Sequence, residues 1–276
     1  KIHLLHQQML TKKSTDISSA VITAKEIFAA SPRQRQIMED VADVFLTANL
    51  NSETRSAIDF IEAHFRTTPY LYVLKTQLAF TEGDYKSVLD FAPHGINAPE
   101  LPPFYKAKLY NIMAKVYLAL GDAKEGAACF LRSSQLPGNP SQYWEYSNYL
   151  FALQHKNIPR QELFSIIKNY DNMFHNIKRY EHKAKKNHKK IRIGYISADY
   201  CNGVAAHFTY ALFAAYDREH FAVYAYNLGR IDSITMQFKK NVTYWRDIQN
   251  LSSSEAAALI YADELDILVD LAGHTN

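Results

Sequence analysis

Two Gly-Asp pairs, Gly83-Asp84 and Gly121-Asp122, stand 38 positions apart, each between segments of helical apolar spacing. Glycine enters the left-handed region without steric cost, and the aspartate after it can accept from the first amides of a new helix. A turn of this kind repeated along the chain produces helix pairs. Each pair leaves an apolar side that only a neighbouring pair can cover. In "YNIMAKVYLALGDAKEGAACFLRSSQLPGN", residues 110–139, Tyr110, Met113, Ala114 and Tyr117 fall at i, i+3, i+4 and i+7. That spacing places them on one helical face. Beyond the turn, Gly126 and Phe130 share a face of the second helix.

A tetratricopeptide repeat has a period of about 34 residues. The longer interval here fits the proline-bearing insert "APHGINAPELPP", residues 92–103. A weaker unit, "SETRSAIDFIEAHFRTTP", puts Ala57 and Pro69 where a repeat carries its small residue and terminal proline. Residues 1–175 are therefore expected to form a TPR-like helical domain, with two good repeats, at least one degenerate one and helical flanks. An unrelated helical bundle is the competing architecture. Residues 141–174 add two helices, broken near Asn157-Ile158-Pro159. A stack of this type offers a surface for a protein or peptide partner and by itself implies no catalysis. Next comes "KRYEHKAKKNHKK", residues 178–190, within an expected basic linker at 176–190. Its one aromatic, Tyr180, gives bases little to stack on, so nucleic acid is not the expected partner.

From Ile191 the period changes. "IRIGYIS" and "FAVYAYNL" have strand character, "TYWRDI" is a candidate short strand, and "LDILVDLAG" is expected as a buried strand. "VAAHFTYALFAAY", "SITMQFKKN" and "SSSEAAALIYADE" between them have helical character. Alternation of this sort gives a parallel sheet with helices on both faces, and ligands gather at the carboxyl ends of its strands. Those ends are the turns at 198–204, 228–233 and 272–276. The turn after the first strand lacks the glycine fingerprint of a dinucleotide site. The chain also contains no P-loop, no GxSxG elbow and no DxD pair. A histidine-bearing turn opening a helix remains. A formal charge of +3 over 276 residues demands no polyanion. No apolar run reaches the roughly 18 residues of a membrane span. Cys129 and Cys201 are isolated and lack metal-site spacing, which suits a reducing cytoplasm. The chain opens at Lys1 and closes on "LAGHTN", and it is expected to be cut from a longer polypeptide.

The order of segments resembles the O-linked N-acetylglucosamine transferase family, including its bacterial and SPINDLY-like members. The resemblance rests on "YSNYLFAL" at 146–153 with "ELF" at 162–164, on "IRIGYISADY" at 191–200, and on "DSIT" with Phe238. It continues through "WRDI" at 245–248 to "DILVDLAGHT" at 266–275. It implies a GT-B glycosyltransferase of two Rossmann-like halves, with residues 191–276 as the amino-terminal half and the second half outside this chain. It further implies an inverting, metal-independent transfer to Ser or Thr of a protein acceptor held by the repeats. The donor would be a nucleotide-sugar, UDP-GlcNAc or, in the SPINDLY-like branch, GDP-fucose. No other cofactor is implied.

Family members carry a motif like D-F-x-x-H-P-x-x-H in the turn after the first catalytic strand. Asp199 and Tyr200 match its start and His207 its final histidine, while the intervening histidine falls on Gly203. His207 is thus the catalytic candidate. Asp199, Asn202, Gly203, His274 and Thr275 are candidates to line the cleft. His207 also admits a plain role at a helix start, and Asp199 a role in bracing the turn. Glycine can neither carry a proton nor hold a hydroxyl by a side chain, and loss of a positioned acid or base costs about 10²–10⁴-fold in rate. Another group serves in its place, or this copy is weakened, or the residue was altered. The alternative function is a catalytically degenerate TPR scaffold that only binds protein.

Overall fold

The structure, a computed structural model, describes residues 1–182 and 188–273. The chain forms two compact units, Lys1–His175 and Asn176–Asn276. Among the described residues no helix is long and apolar enough to cross a membrane.

The first unit is built of helices α1 (Ile2–Lys13), α2 (Ile17–Ala29), α3 (Arg35–Thr47), α4 (Asn51–His64) and α5 (Pro69–Thr81). It continues with α6 (Tyr85–Asn97), α7 (Pro103–Ala119), α8 (Ala123–Ser134), α9 (Gln142–Leu153) and α10 (Arg160–Asp171). Consecutive helices pair, and α3, α5 and α7 also touch one another in series, so the pairs stack as a TPR-like superhelix. The turns follow the expected chemistry. Gly83 and Gly121 take φ of +74° and +83°. Asp84 accepts from the Ser87 amide and Asp122 from the Glu125 amide, each at 3.1 Å. Between α3 and α4 the left-handed position is filled by Asn49, φ 58°, 34 residues before Gly83. Asparagine tolerates that region better than other side-chain residues, so this repeat keeps its turn without a glycine.

Met38, Val41, Phe45, Ile61, Leu71 and Leu74 are fully buried where α3, α4 and α5 meet. Each such side chain contributes about 1.5–3 kcal/mol by leaving water. Tyr110, Met113 and Tyr117 pack around buried Ala114, Ala127 and Phe130, as the spacing predicts. One expectation is corrected. The segment 92–103 is no insert between helices, because α6 runs through Pro93 to Asn97 and only 98–102 link it to α7. Packing of Val88, Ala92 and Gly95 against neighbouring helices holds the helix despite the amide that Pro93 lacks.

The second unit holds β1 (Ile191–Ser197), α11 (Val204–Ala215), β2 (Phe221–Asn227), α12 (Ser233–Asn241), β3 (Tyr244–Asp247), α13 (Ser253–Ala262) and β4 (Ile267–Asp270). The strands form one parallel sheet in the order β3-β2-β1-β4. Alternate residues of β2 point to opposite faces. Val223 and Ala225 meet Ala206, Phe213 and Phe238 of α11 and α12, whereas Tyr224 and Tyr226 share a core with residues of α13. β4 departs from the expected buried strand. It lies at the sheet edge with Ile267 and Leu268 about half exposed. The described residues of the basic run are fastened to this unit. Tyr180 stacks on Tyr261, whose hydroxyl donates to the Glu181 carbonyl at 2.8 Å.

Candidate functional site

Strand order reverses beside β1. The chain runs outward from β1 to β2 and β3, then crosses back to place β4 on the other side. The carboxyl ends of β1 and β4 therefore flank a topological switch point, where open α/β sheets bind ligands. Register pairs Ile196 with Asp270, so the turns after the two strands emerge side by side.

The turn after β1 is held from below and from the side. The Tyr200 ring is buried against Phe213, Phe238 and Trp245. Its hydroxyl donates to the Tyr195 carbonyl at 2.9 Å, and burial pushes the phenol pKa far up. Ser197 Oγ accepts from the Asp199 amide at 2.9 Å. The next turn, 228–232, supplies the lateral contacts. The Leu228 amide donates to the Ser197 carbonyl at 2.9 Å. Asp232 Oδ2 accepts from the Asn202 amide at 2.8 Å, and Arg230 Nη2 donates to the Asn202 carbonyl at 3.4 Å. Gly229 passes so close to Ala198 that a Cβ would lie 1.9 Å from its carbonyl oxygen. Asn227 brackets Gly229, donating to its carbonyl at 2.8 Å and accepting from its amide at 3.2 Å.

Above this support the candidates separate into three groups. Asn202 and Gly203 are exposed. Gly203 precedes α11 in an extended conformation, φ −179°, which any residue adopts. A Cβ there would have only the Cys201 carbonyl oxygen within reach, at 3.8 Å. Asp199 is half-buried and His207 exposed on the first turns of α11. Their side chains make no hydrogen bond or ion pair among the described residues. His274 and Thr275 lie outside the described residues. The bracing considered for Asp199 comes from Ser197 and Asp232 instead.

Three supporting residues escaped the sequence-based candidates. Asp232 and Arg230 bind the backbone of Asn202, and Asp270 Oδ1 accepts the Ala272 and Gly273 amides at 2.9 and 3.3 Å. Only Asp232 left a local signal. In D-S-I-T the aspartate caps Ile234 and Thr235 while Thr235 Oγ1 accepts the Asp232 amide, a capping box.

Residues 149–276, from the last helices of the first unit through this sheet, match "Glycosyl transferase family 41". That segment is similar to glycosyltransferase family 41 over just under half of the chain. The chain is 35% identical over 92 residues to the SPINDLY protein of Oryza sativa subsp. japonica, described as a probable UDP-N-acetylglucosamine–peptide N-acetylglucosaminyltransferase. That alignment covers 32% of this chain and 10% of the relative. The SEC protein of Arabidopsis thaliana, of the same description, is 30% identical over 90 residues, 32% of this chain and 9% of its own length. The match thus spans about a tenth of these relatives.

Among solved structures, a mutant of the Thermobaculum terrenum O-GlcNAc transferase shares the fold. It has a TM-score of 0.59 and 20% identity, over 89% of this chain and 46% of that one. Podosopora anserina TPR-like repeats superpose with a TM-score of 0.50 and 13% identity, over 65% of this chain and 97% of theirs. The fold is therefore TPR-like repeats plus part of an α/β glycosyltransferase.

Proposed function

We propose that this chain supplies the repeat region and the amino-terminal catalytic half of a cytoplasmic protein O-glycosyltransferase. The donor is UDP-GlcNAc, the acceptor a Ser or Thr of a protein held by the helical repeats, and the transfer inverting and metal-independent. The observation that carries this reading is the family-41 segment, residues 149–276, whose β1 turn sits at the switch point of its sheet. In the reaction the acceptor oxygen forms a bond to the anomeric carbon as the bond from that carbon to the diphosphate oxygen breaks on the opposite side. The hydroxyl proton leaves to a base, and the diphosphate departs with the electron pair. In-line positioning and donors aimed at the departing diphosphate are the main sources of rate. Among the described residues the side chains of Asp199 and His207 in the β1 turn and α11 make no hydrogen bond or ion pair, and we assign them and Asn202 to the acceptor side of the cleft. His274 and Thr275 follow β4 in sequence and belong to the same proposed wall.

A second reading, a protein-binding scaffold without activity, is favoured by Gly203. The test is transfer of radiolabelled GlcNAc from UDP-GlcNAc to protein acceptors by the natural polypeptide that carries this chain, with and without EDTA. Transfer unaffected by EDTA is expected. Because Gly203 is extended with open space around it, Gly203→His should fold and raise the rate by about 10²-fold. No transfer by either protein, with partner binding retained, would establish the scaffold.

A further inference from the structure

The turn that carries Asp199, Asn202, Gly203 and the start of α11 has little side-chain anchorage of its own beyond Tyr200. Asn202 and Gly203 are exposed and Asp199 is half-buried. What fixes its outer part is a second turn. We propose that Asp232 is a positioning residue for the reaction, clamping the Asn202 backbone and so setting where position 203 and the α11 amino terminus stand at the switch point. This assignment rests on the glycosyltransferase reading above.

The geometry gives Asp232 two tasks, one for each oxygen. Oδ1 accepts from the Ile234 and Thr235 amides at 2.9 and 3.0 Å and caps α12. Oδ2 reaches 30 residues back to the Asn202 amide at 2.8 Å. Arg230 holds the carbonyl of the same residue, so both polar groups of one peptide position are taken from the same neighbouring turn. Gly229 and Leu228 fix that turn against Ala198 and Ser197, which makes the clamp stiff rather than incidental. The Asn202 amide, followed by those of Thr235 and Ile234, holds the Asp232 carboxyl below its ordinary range. Its charge is therefore fixed, and both oxygens are occupied by donors. A carboxylate in that state orients its neighbours and is poorly suited to take a substrate proton.

Helix capping and clamping are separable by substitution. Serine is as good an N-cap as aspartate, but its single short oxygen cannot serve α12 and Asn202 together. In Asp232→Ser, amide hydrogen exchange measured by NMR on the 276-residue chain should speed up by about 10-fold or more at Asn202. That is the size expected for loss of a hydrogen bond to a charged group. Exchange at Thr235 should stay within about threefold. Asp232→Asn, isosteric but with one acceptor where there were two, is the second variant and should show the same at Asn202 or, with its amide reversed, loss of protection at the α12 cap instead.

In the natural polypeptide, Asp232→Ser should lower kcat by about 10-fold or more and leave the donor KM within about twofold, as for a misplaced rather than a missing contact. Unchanged exchange at Asn202 in Asp232→Ser overturns the clamp. Exchange lost with kcat unchanged overturns its role in positioning. A wild-type protein that transfers no sugar refutes the function above, and exchange at Asn202 then decides the clamp alone.

Discussion

Replacing Gly229 with alanine tests whether the two turns at the switch point are locked together. The new Cβ would meet the Ala198 carbonyl oxygen at 1.9 Å and its carbon at 2.7 Å, where ordinary contacts begin at 3.4 Å. The obstacle is backbone on a short turn, so a rotamer change cannot relieve it. One turn must move by roughly 1 Å, and overpacking of this kind costs about 1–3 kcal/mol. The shift also strains the Leu228 bond to Ser197 at 2.9 Å and the Asn227 bonds that bracket Gly229. Loss of one of these bonds adds about 1 kcal/mol. The expected loss is about 2–4 kcal/mol, confined to the α/β unit.

Two units make a single global midpoint ambiguous, so the readout should be local. The chain has 2 tryptophans, Trp144 in the repeat unit and Trp245 in β3. In a Trp144→Phe background, urea unfolding followed by Trp245 emission reports on the α/β unit. Gly203→Ala is the control, because its Cβ enters open space on extended backbone and should change stability by less than about 0.5 kcal/mol. Equal effects of the two substitutions, or a loss below about 0.5 kcal/mol for Gly229→Ala, would refute the close approach of the turns.

Gly121→Ala should cost about 1–2 kcal/mol in thermal unfolding of the repeat unit, because φ of +83° disfavours a Cβ, whereas Asn49→Gly should be nearly neutral. Phe238→Ala removes a fully buried ring packed on Tyr200, Tyr210 and Phe213 and should cost about 3–5 kcal/mol by Trp245-monitored unfolding. Glu145 is buried, receives two bonds from Asn111 Nδ2 at 3.0 Å, and burial raises its carboxyl pKa above the ordinary 4.5. A raised folded pKa means that the folded state holds the proton longer. Stability from this group falls as pH rises from the ordinary value through the raised one, and is lowest above it. Burial raises Glu39 in the same direction. Glu145→Gln should accordingly flatten the dependence of the repeat-unit melting temperature on pH above the ordinary 4.5, and an unchanged profile would show that Glu145 is not the titrating group.

The repeats were legible because their signals are local. Gly83, Gly121 and their aspartates do in the structure what their chemistry dictates, and so do the apolar faces of α7 and α8. Asn49 could have been found the same way, since asparagine is the usual substitute at a left-handed turn. Pro93 misled because sequence registers the missing amide and cannot register the packing that compensates for it. The alternation of strands and helices after Ile191, and the capping boxes at Asp232 and Ser252, were equally written into neighbouring residues.

The site was legible only in part. The sequence placed the turn after β1 at a strand carboxyl end and showed glycine at position 203 within it. It could not show that β4 returns beside β1, which makes that end a switch point, because strand order depends on crossovers between distant segments. Nor could it show that Asp232 reaches Asn202, or that Gly229 is glycine on account of Ala198. These contacts join residues about 30 positions apart through backbone groups that look alike in every sequence. Local chemistry thus determined which elements form, and only their packing decided which turn holds the other in place.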